Sequence, residues 1–154
     1  MEQRTVNELI IETKNILAQT GSRDEKLIKI VSALKDQVWH YDWVGFYILE
    51  KETDTLILGP YVGAHTDHTH IPVGKGVCGQ VAQNKETMIV QDVSKMENYL
   101  SCSMHVQSEI VAPVLLNGSF VAELDIDSHS AAPFTPNDRI LLEEICALVA
   151  PLFN

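Results

Sequence analysis

Glu109-Ile110-Val111-Ala112-Pro113-Val114-Leu115-Leu116-Asn117-Gly118-Ser119-Phe120-Val121-Ala122-Glu123-Leu124-Asp125-Ile126-Asp127 reads as a β-hairpin around which the rest of the chain can be arranged. Two runs rich in β-formers, Glu109 to Leu116 and Ser119 to Asp127, flank Asn117-Gly118, a pair suited to the positive φ angles of a tight hairpin turn. The second run alternates. Glu123, Asp125 and Asp127 fall on one face, while Ala122, Leu124 and Ile126 fall on the other, because successive strand residues point to opposite sides. The apolar face is expected to meet helices. The carboxylates then face the opposite side, joined by Glu109 from the partner strand. A solvated sheet face, common in antiparallel sheets, is the plain alternative to an acidic pocket, but Asp is poorly suited to strand interiors, so two at alternate positions need a reason. Carboxylates converging on one pocket bind an ammonium group and raise one another's proton affinity, which implies a cationic or zwitterionic ligand.

Outward from this hairpin, Trp43 to Leu49 and Thr55 to Val62 form a second one across the polar turn Lys51-Glu52-Thr53-Asp54. Apolar residues at helical spacing predict a helix over Val6 to Gln19, stopped by Gly21. Another starts near Ser22 and Asp24 and reaches about Trp39, with Leu27, Ile28, Ile30, Val31 and Leu34 on its inner side. Val77 to Asn84 reads as a short helix and Met88 to Val90 as a brief strand. Thr135, Pro136 and Asp138 give an N-cap, a first-turn proline and a capping-box spacing for a last helix to about Leu152. The order implies one α+β domain over residues 1–154: a central antiparallel sheet with the N- and C-terminal helices on one face and a ligand pocket on the other.

The formal charge of −10 argues against nucleic acid and anionic membranes as partners, since both are met by basic surface. No run approaches the roughly 20 apolar residues of a membrane span. The N-terminus shows no export signal, so a cytoplasmic address is expected, where a disulfide would be transient rather than structural.

Two of the three cysteines sit in irregular, glycine- or serine-rich sequence: Cys78 in Val77-Cys78-Gly79 and Cys102 in Ser101-Cys102-Ser103. This placement suggests a thiol pair beside the acidic pocket. Cys78 falls in a first helical turn, where the helix dipole and Lys75 favour a thiolate. Cys146, among Leu142, Ile145 and Val149, reads as packing.

Trp43-Val44-Gly45-Phe46-Tyr47, Gly59-Pro60, Ile71 through Gly79, Ser108 through Pro113 and Leu124-Asp125-Ile126-Asp127 together resemble the free methionine-(R)-sulfoxide reductases, which are stand-alone GAF domains. The resemblance implies an oxidoreductase that reduces free L-methionine (R)-S-oxide with a thioredoxin-type donor and no cofactor or metal. It assigns Cys102 as the catalytic thiol and Cys78 as its partner in a redox-active disulfide. Glu109, Asp125 and Asp127 would hold the substrate and assist protonation of its oxygen, with Trp43 as an aromatic wall; Tyr47 reads as either core or pocket. Ten positions before Cys78, where the family carries a third cysteine, this chain has His68. Two other readings stay open. One is a non-catalytic GAF sensor of a small ligand or redox state. The other is a metal-binding GAF protein using His65-Thr66-Asp67-His68-Thr69-His70, with Cys78, Cys102, His105 or His129 nearby. A homodimer through the terminal helices is also left open.

Overall fold

The protein was analysed as a computed structural model, which describes residues 1–97, Tyr99 and 104–154. Helices α1 (Gln3–Ala18) and α2 (Arg23–Gln37) precede strands β1 (Trp43–Glu50), β2 (Thr55–Val62) and β3 (His70–Pro72). Helix α3 (Gly76–Asn84), strands β4 (Met88–Val90), β5 (Ser108–Leu116) and β6 (Ser119–Ser128), and helix α4 (Pro136–Val149) follow. The six strands form an antiparallel sheet in the order β3-β2-β1-β6-β5-β4. Both hairpins predicted from sequence are neighbours in it, and β1 pairs with β6 at its centre.

The helix boundaries follow local chemistry. Ser22 accepts from the Glu25 amide while the Glu25 carboxylate accepts from the Ser22 amide, a capping box that starts α2. Thr135 and Asp138 form the equivalent box for α4. That last helix stops at Val149 and continues as a 3₁₀ turn over Ala150–Phe153, short of an α-helix to Leu152. The first helix begins at Gln3, three residues before the first periodic apolar residue. Ile28 departs from expectation: it is exposed, because its position falls off the stripe Leu27, Ile30, Val31 and Leu34 that packs inward.

The rear core holds those α2 residues with Val6, Leu9 and Ile16 of α1, Leu141, Leu142, Ile145 and Val149 of α4, and the sheet residues Val44, Phe46, Ile110, Ala112, Leu124 and Ile126. Burial of each such large apolar side chain stabilises the fold by about 1.5–3 kcal/mol. A second apolar cluster lies on the other face, where Tyr47, Leu56, Ile71, Val77, Cys78, Val81, Val111 and Phe120 pack under α3. Phe120 reaches that cluster through a bulge. Val114 pairs with Ala122 but Leu115 pairs with Phe120, which leaves Val121 without a cross-strand partner and reverses the alternation. Strand β3 is a tertiary product: His70 to Pro72 gain strand geometry by pairing with Thr55 to Ile57.

Candidate active site

The site grows from the alternation in β6. Tyr47, Gly45 and Trp43 of β1 stand opposite Glu123, Asp125 and Asp127, and β5 places Pro113, Val111 and Glu109 on their other side. All these odd-numbered residues share one face. Helix α3 and the strap before it roof that face, so the carboxylates are not solvated: Glu109 is 4% exposed, Glu123 0%, Asp125 1% and Asp127 1%. The acidic-pocket reading therefore holds over the solvated-face one.

Glycine sets the height of the roof. A Cβ on Gly79 would lie 2.7 Å from the Pro72 carbonyl oxygen and 2.9 Å from the Gly74 nitrogen, so only hydrogen fits where the strap crosses α3. The Gly74 amide donates to the Gly79 carbonyl at 2.8 Å and fixes that crossing. Cys78, one residue earlier, is thereby buried against the sheet. Its thiol donates to Glu109 Oε1 at 3.8 Å, and its sulfur and one oxygen each of Glu109 and Asp125 lie within 4.8 Å of one another.

A narrow cavity of about 10 Å³ opens here, lined by Tyr47, His68, Ile71, Lys75, Cys78, Glu109 and Asp125 among others. Tyr47 is buried, and its hydroxyl donates to the His68 carbonyl at 2.8 Å. Trp43 stands behind Tyr47, with ring centroids 6.3 Å apart, and stacks on Tyr61 at 5.3 Å. Its indole N–H donates to the Ala64 carbonyl. Gly45 makes room for that indole, because a Cβ there would lie 2.5 Å from the ring.

Burial raises the carboxyl groups together. Desolvation lifts Asp125 to about 6, against the lowering effect of hydrogen bonds with Glu109 and Cys78. Glu109 is pushed well up by burial and then by the charges of Asp125 and Asp127; Glu123 is raised chiefly by burial. By distance and angle, both Glu123 oxygens and Asp125 Oδ1 have no hydrogen-bond partner among the described residues, although the Cys78 thiol lies near enough to Glu123 to lower its carboxyl against the effect of burial. The surroundings overturn the expected Cys78 thiolate. Burial, followed by the charges of Asp125, Glu123 and Glu109, holds its pKa well above the ordinary thiol value, because the low-dielectric pocket and nearby negative charge outweigh the helix dipole and the exposed Lys75.

Cys102 lies outside the described residues. Tyr99, three positions earlier, packs against the apolar cluster that contains Cys78. Cys146 fits its packing assignment: it is buried on the rear face and its thiol donates to the Ala112 carbonyl at 3.5 Å. The histidine-rich stretch does not form the metal cluster considered for it among the described residues. His65 pairs with Asp67 at 3.1 Å on the surface, His70 is exposed on β3, and His68 borders the cavity. His105 instead meets His129 edge to face at 5.9 Å. The group of three potential ligands that does come together is Cys78, Glu109 and Asp125. Glu123 was not singled out as a site residue, although its place in the alternating run already put it on the acidic face.

Residues 22–151 match the GAF domain family. A free methionine-R-sulfoxide reductase of Saccharomyces cerevisiae is 38% identical over 122 residues, which cover 73% of this chain and 67% of the relative. The Escherichia coli protein of that name is 35% identical over 114 residues, covering 74% of this chain and 67% of the relative. The X-ray structure of free methionine-R-sulfoxide reductase from Neisseria meningitidis, in complex with its substrate, superposes with a TM-score of 0.92 at 30% identity. That superposition covers 99% of this chain and 92% of the other. With its curled antiparallel sheet, roofed acidic face and these relatives, the chain belongs to the GAF domain family and, within it, to the free methionine-R-sulfoxide reductases.

Proposed function

We propose that this protein reduces free L-methionine (R)-S-oxide to methionine. The observation that carries the reading is the buried group of carboxylates around the Cys78 thiol, which has raised proton affinity and, for Glu109, Glu123 and Asp125, no ion pair among the described residues. Such a pocket attracts an ammonium group and keeps a carboxyl proton available near neutrality. Glu109, Asp125 and Asp127 hold the amino acid, Tyr47 walls the site, and Trp43 supports that wall from behind. The cavity has room for about one water molecule, so admitting the substrate requires its walls to part.

Cys102 is the nucleophile. Its thiolate attacks the sulfoxide sulfur, and the sulfoxide oxygen, protonated by Glu109 or Asp125, is transferred to the cysteine; methionine leaves and Cys102 becomes a sulfenic acid. Cys78 then attacks that sulfenic sulfur, its thiol proton passing through the carboxylate it already contacts at 3.8 Å to the departing hydroxyl, so that the Cys78–Cys102 disulfide forms and water leaves. A thioredoxin-type dithiol of the cytoplasm exchanges with the disulfide and returns both thiols. His68 borders the cavity where the resemblance places a third cysteine, so resolution falls to Cys78 alone.

The test is turnover of each sulfoxide epimer with dithiothreitol, following methionine release. Product from the R epimer alone is expected; binding without product would make the domain a sensor. Cys78→Ser is expected to form one equivalent of methionine and then stall with thioredoxin, and an unchanged steady-state rate would remove Cys78 from the cycle.

A further inference from the structure

The closed pocket is matched to something smaller than an amino acid. Its 10 Å³ void accepts about one water-sized particle, and the Cys78 sulfur and the Glu109 and Asp125 carboxylates converge on it within 4.8 Å of one another. Zinc–sulfur and zinc–oxygen bonds at a tetrahedral angle set the two ligand atoms about 3.6 Å apart; Cys78 Sγ and Glu109 Oε1 are 3.8 Å apart. An independent observation points the same way. Asp125 is 1% exposed and its Oδ1 has no hydrogen-bond partner among the described residues, nor do the two oxygens of the neighbouring Glu123. Buried oxygens of this kind are ordinarily satisfied by a donor or a cation.

We propose that Cys78, Glu109 and Asp125 form a binding site for a divalent transition metal of the zinc class, and that the metal excludes the amino-acid substrate from the pocket. A sulfur ligand beside two carboxylates suits zinc or cobalt and disfavours magnesium and calcium, which take oxygen. Three protein ligands leave the fourth position to water. Binding exchanges the Cys78 thiol proton for the metal, with no change of oxidation state, so affinity rises with pH. The metal and the ammonium group compete for the same carboxylates. This exclusion rests on the substrate reading above; metal binding by the three side chains does not.

Titration of the reduced full chain with Co²⁺ is expected to give a thiolate-to-cobalt charge-transfer band at one-to-one stoichiometry, bleached when Zn²⁺ displaces the cobalt. Cys78→Ser should lose the band and bind Zn²⁺ more than about tenfold more weakly. Asp125→Asn should keep the band but weaken the metal by a similar factor. Absence of the band in the wild-type chain, or its loss with Cys102→Ser but not with Cys78→Ser, would overturn the site. Free methionine should displace cobalt; a metal that stays bound at saturating methionine overturns the exclusion. Turnover assayed with a chelator present reports on the reductase independently of either result.

Discussion

Among the described residues, buried carboxylates stand on both faces of the same sheet, a single one behind and a cluster in front, and behave in opposite ways. Behind it, Asp138 is 0% exposed, and its Oδ1 meets His40 Nε2 at 2.8 Å and accepts from the Tyr41 hydroxyl at 2.7 Å. Its Oδ2 accepts from the Thr135 amide at 2.8 Å and the Thr135 hydroxyl at 2.9 Å. Burial alone would raise this carboxyl; the hydrogen bonds from His40, Thr135 and Tyr41 bring it down to about 2. In front, Glu109, Glu123 and Asp125 are equally buried, but several of their oxygens lack donors among the described residues and they face one another's charge. Burial does not distinguish a structural carboxylate from a functional one; the supply of donors does. Asp138 ties the start of α4 to the turn before β1, whereas the front group has capacity left for a ligand.

The comparison can be broken first at the front. Glu109→Gln or Asp125→Asn should lower kcat/KM by up to about 1,000-fold, the range of a lost general acid, without lowering the thermal midpoint near neutral pH. A variant that unfolds while retaining activity per folded molecule would make the front group structural. The next effect lies at the rear. Asp138→Ala strands the donors of Tyr41, Thr135 and His40 and should cost about 3 kcal/mol of unfolding free energy, with kcat/KM of the folded fraction unchanged. A loss of activity larger than the loss of folded protein would move Asp138 into the catalytic account.

The smallest effect sharpens the contrast through pH. A carboxyl raised from 3.8 to about 6 on folding, as at Asp125, stabilises the fold below pH 3.8 and loses that contribution as pH rises through 6. Asp138, lowered from 3.8 to about 2, contributes above 3.8 and loses its contribution as pH falls through 2. Each is of order 2–3 kcal/mol from its shift. In denaturant titrations, wild type minus Asp125→Asn should therefore decline with rising pH between about 4 and 6. Wild type minus Asp138→Asn should decline with falling pH below about 4. Parallel curves for the two variants would erase the distinction.

Much of the frame was legible because its causes are local. Asn117-Gly118 supplies the turn, Ser22 with Glu25 and Thr135 with Asp138 supply capping boxes, and the period of two in β6 separates Leu124 and Ile126 from Asp125 and Asp127. Cys78 keeps its proton against the sequence expectation because the helix dipole is local, while the carboxylates that outweigh it arrive from strands more than thirty residues away. Ile28 is apolar at helical spacing, but it lies beside the inward stripe rather than on it and is 37% exposed.

Which residues share a face follows from the order of amino acids, because strand and helix periods are properties of the backbone. That order also determined that several carboxylates stand together. Tertiary structure alone decided that they are dry: α3 and its strap cover them, and β3 exists only where Thr55 to Ile57 offer a ladder. The pairing of His40 and Tyr41 with Asp138, across nearly a hundred residues, is equally a product of packing. Solvation and donor supply depend on what the rest of the chain brings alongside, and that is why one buried acid became a tie on the rear face and a cluster of them a candidate site on the front.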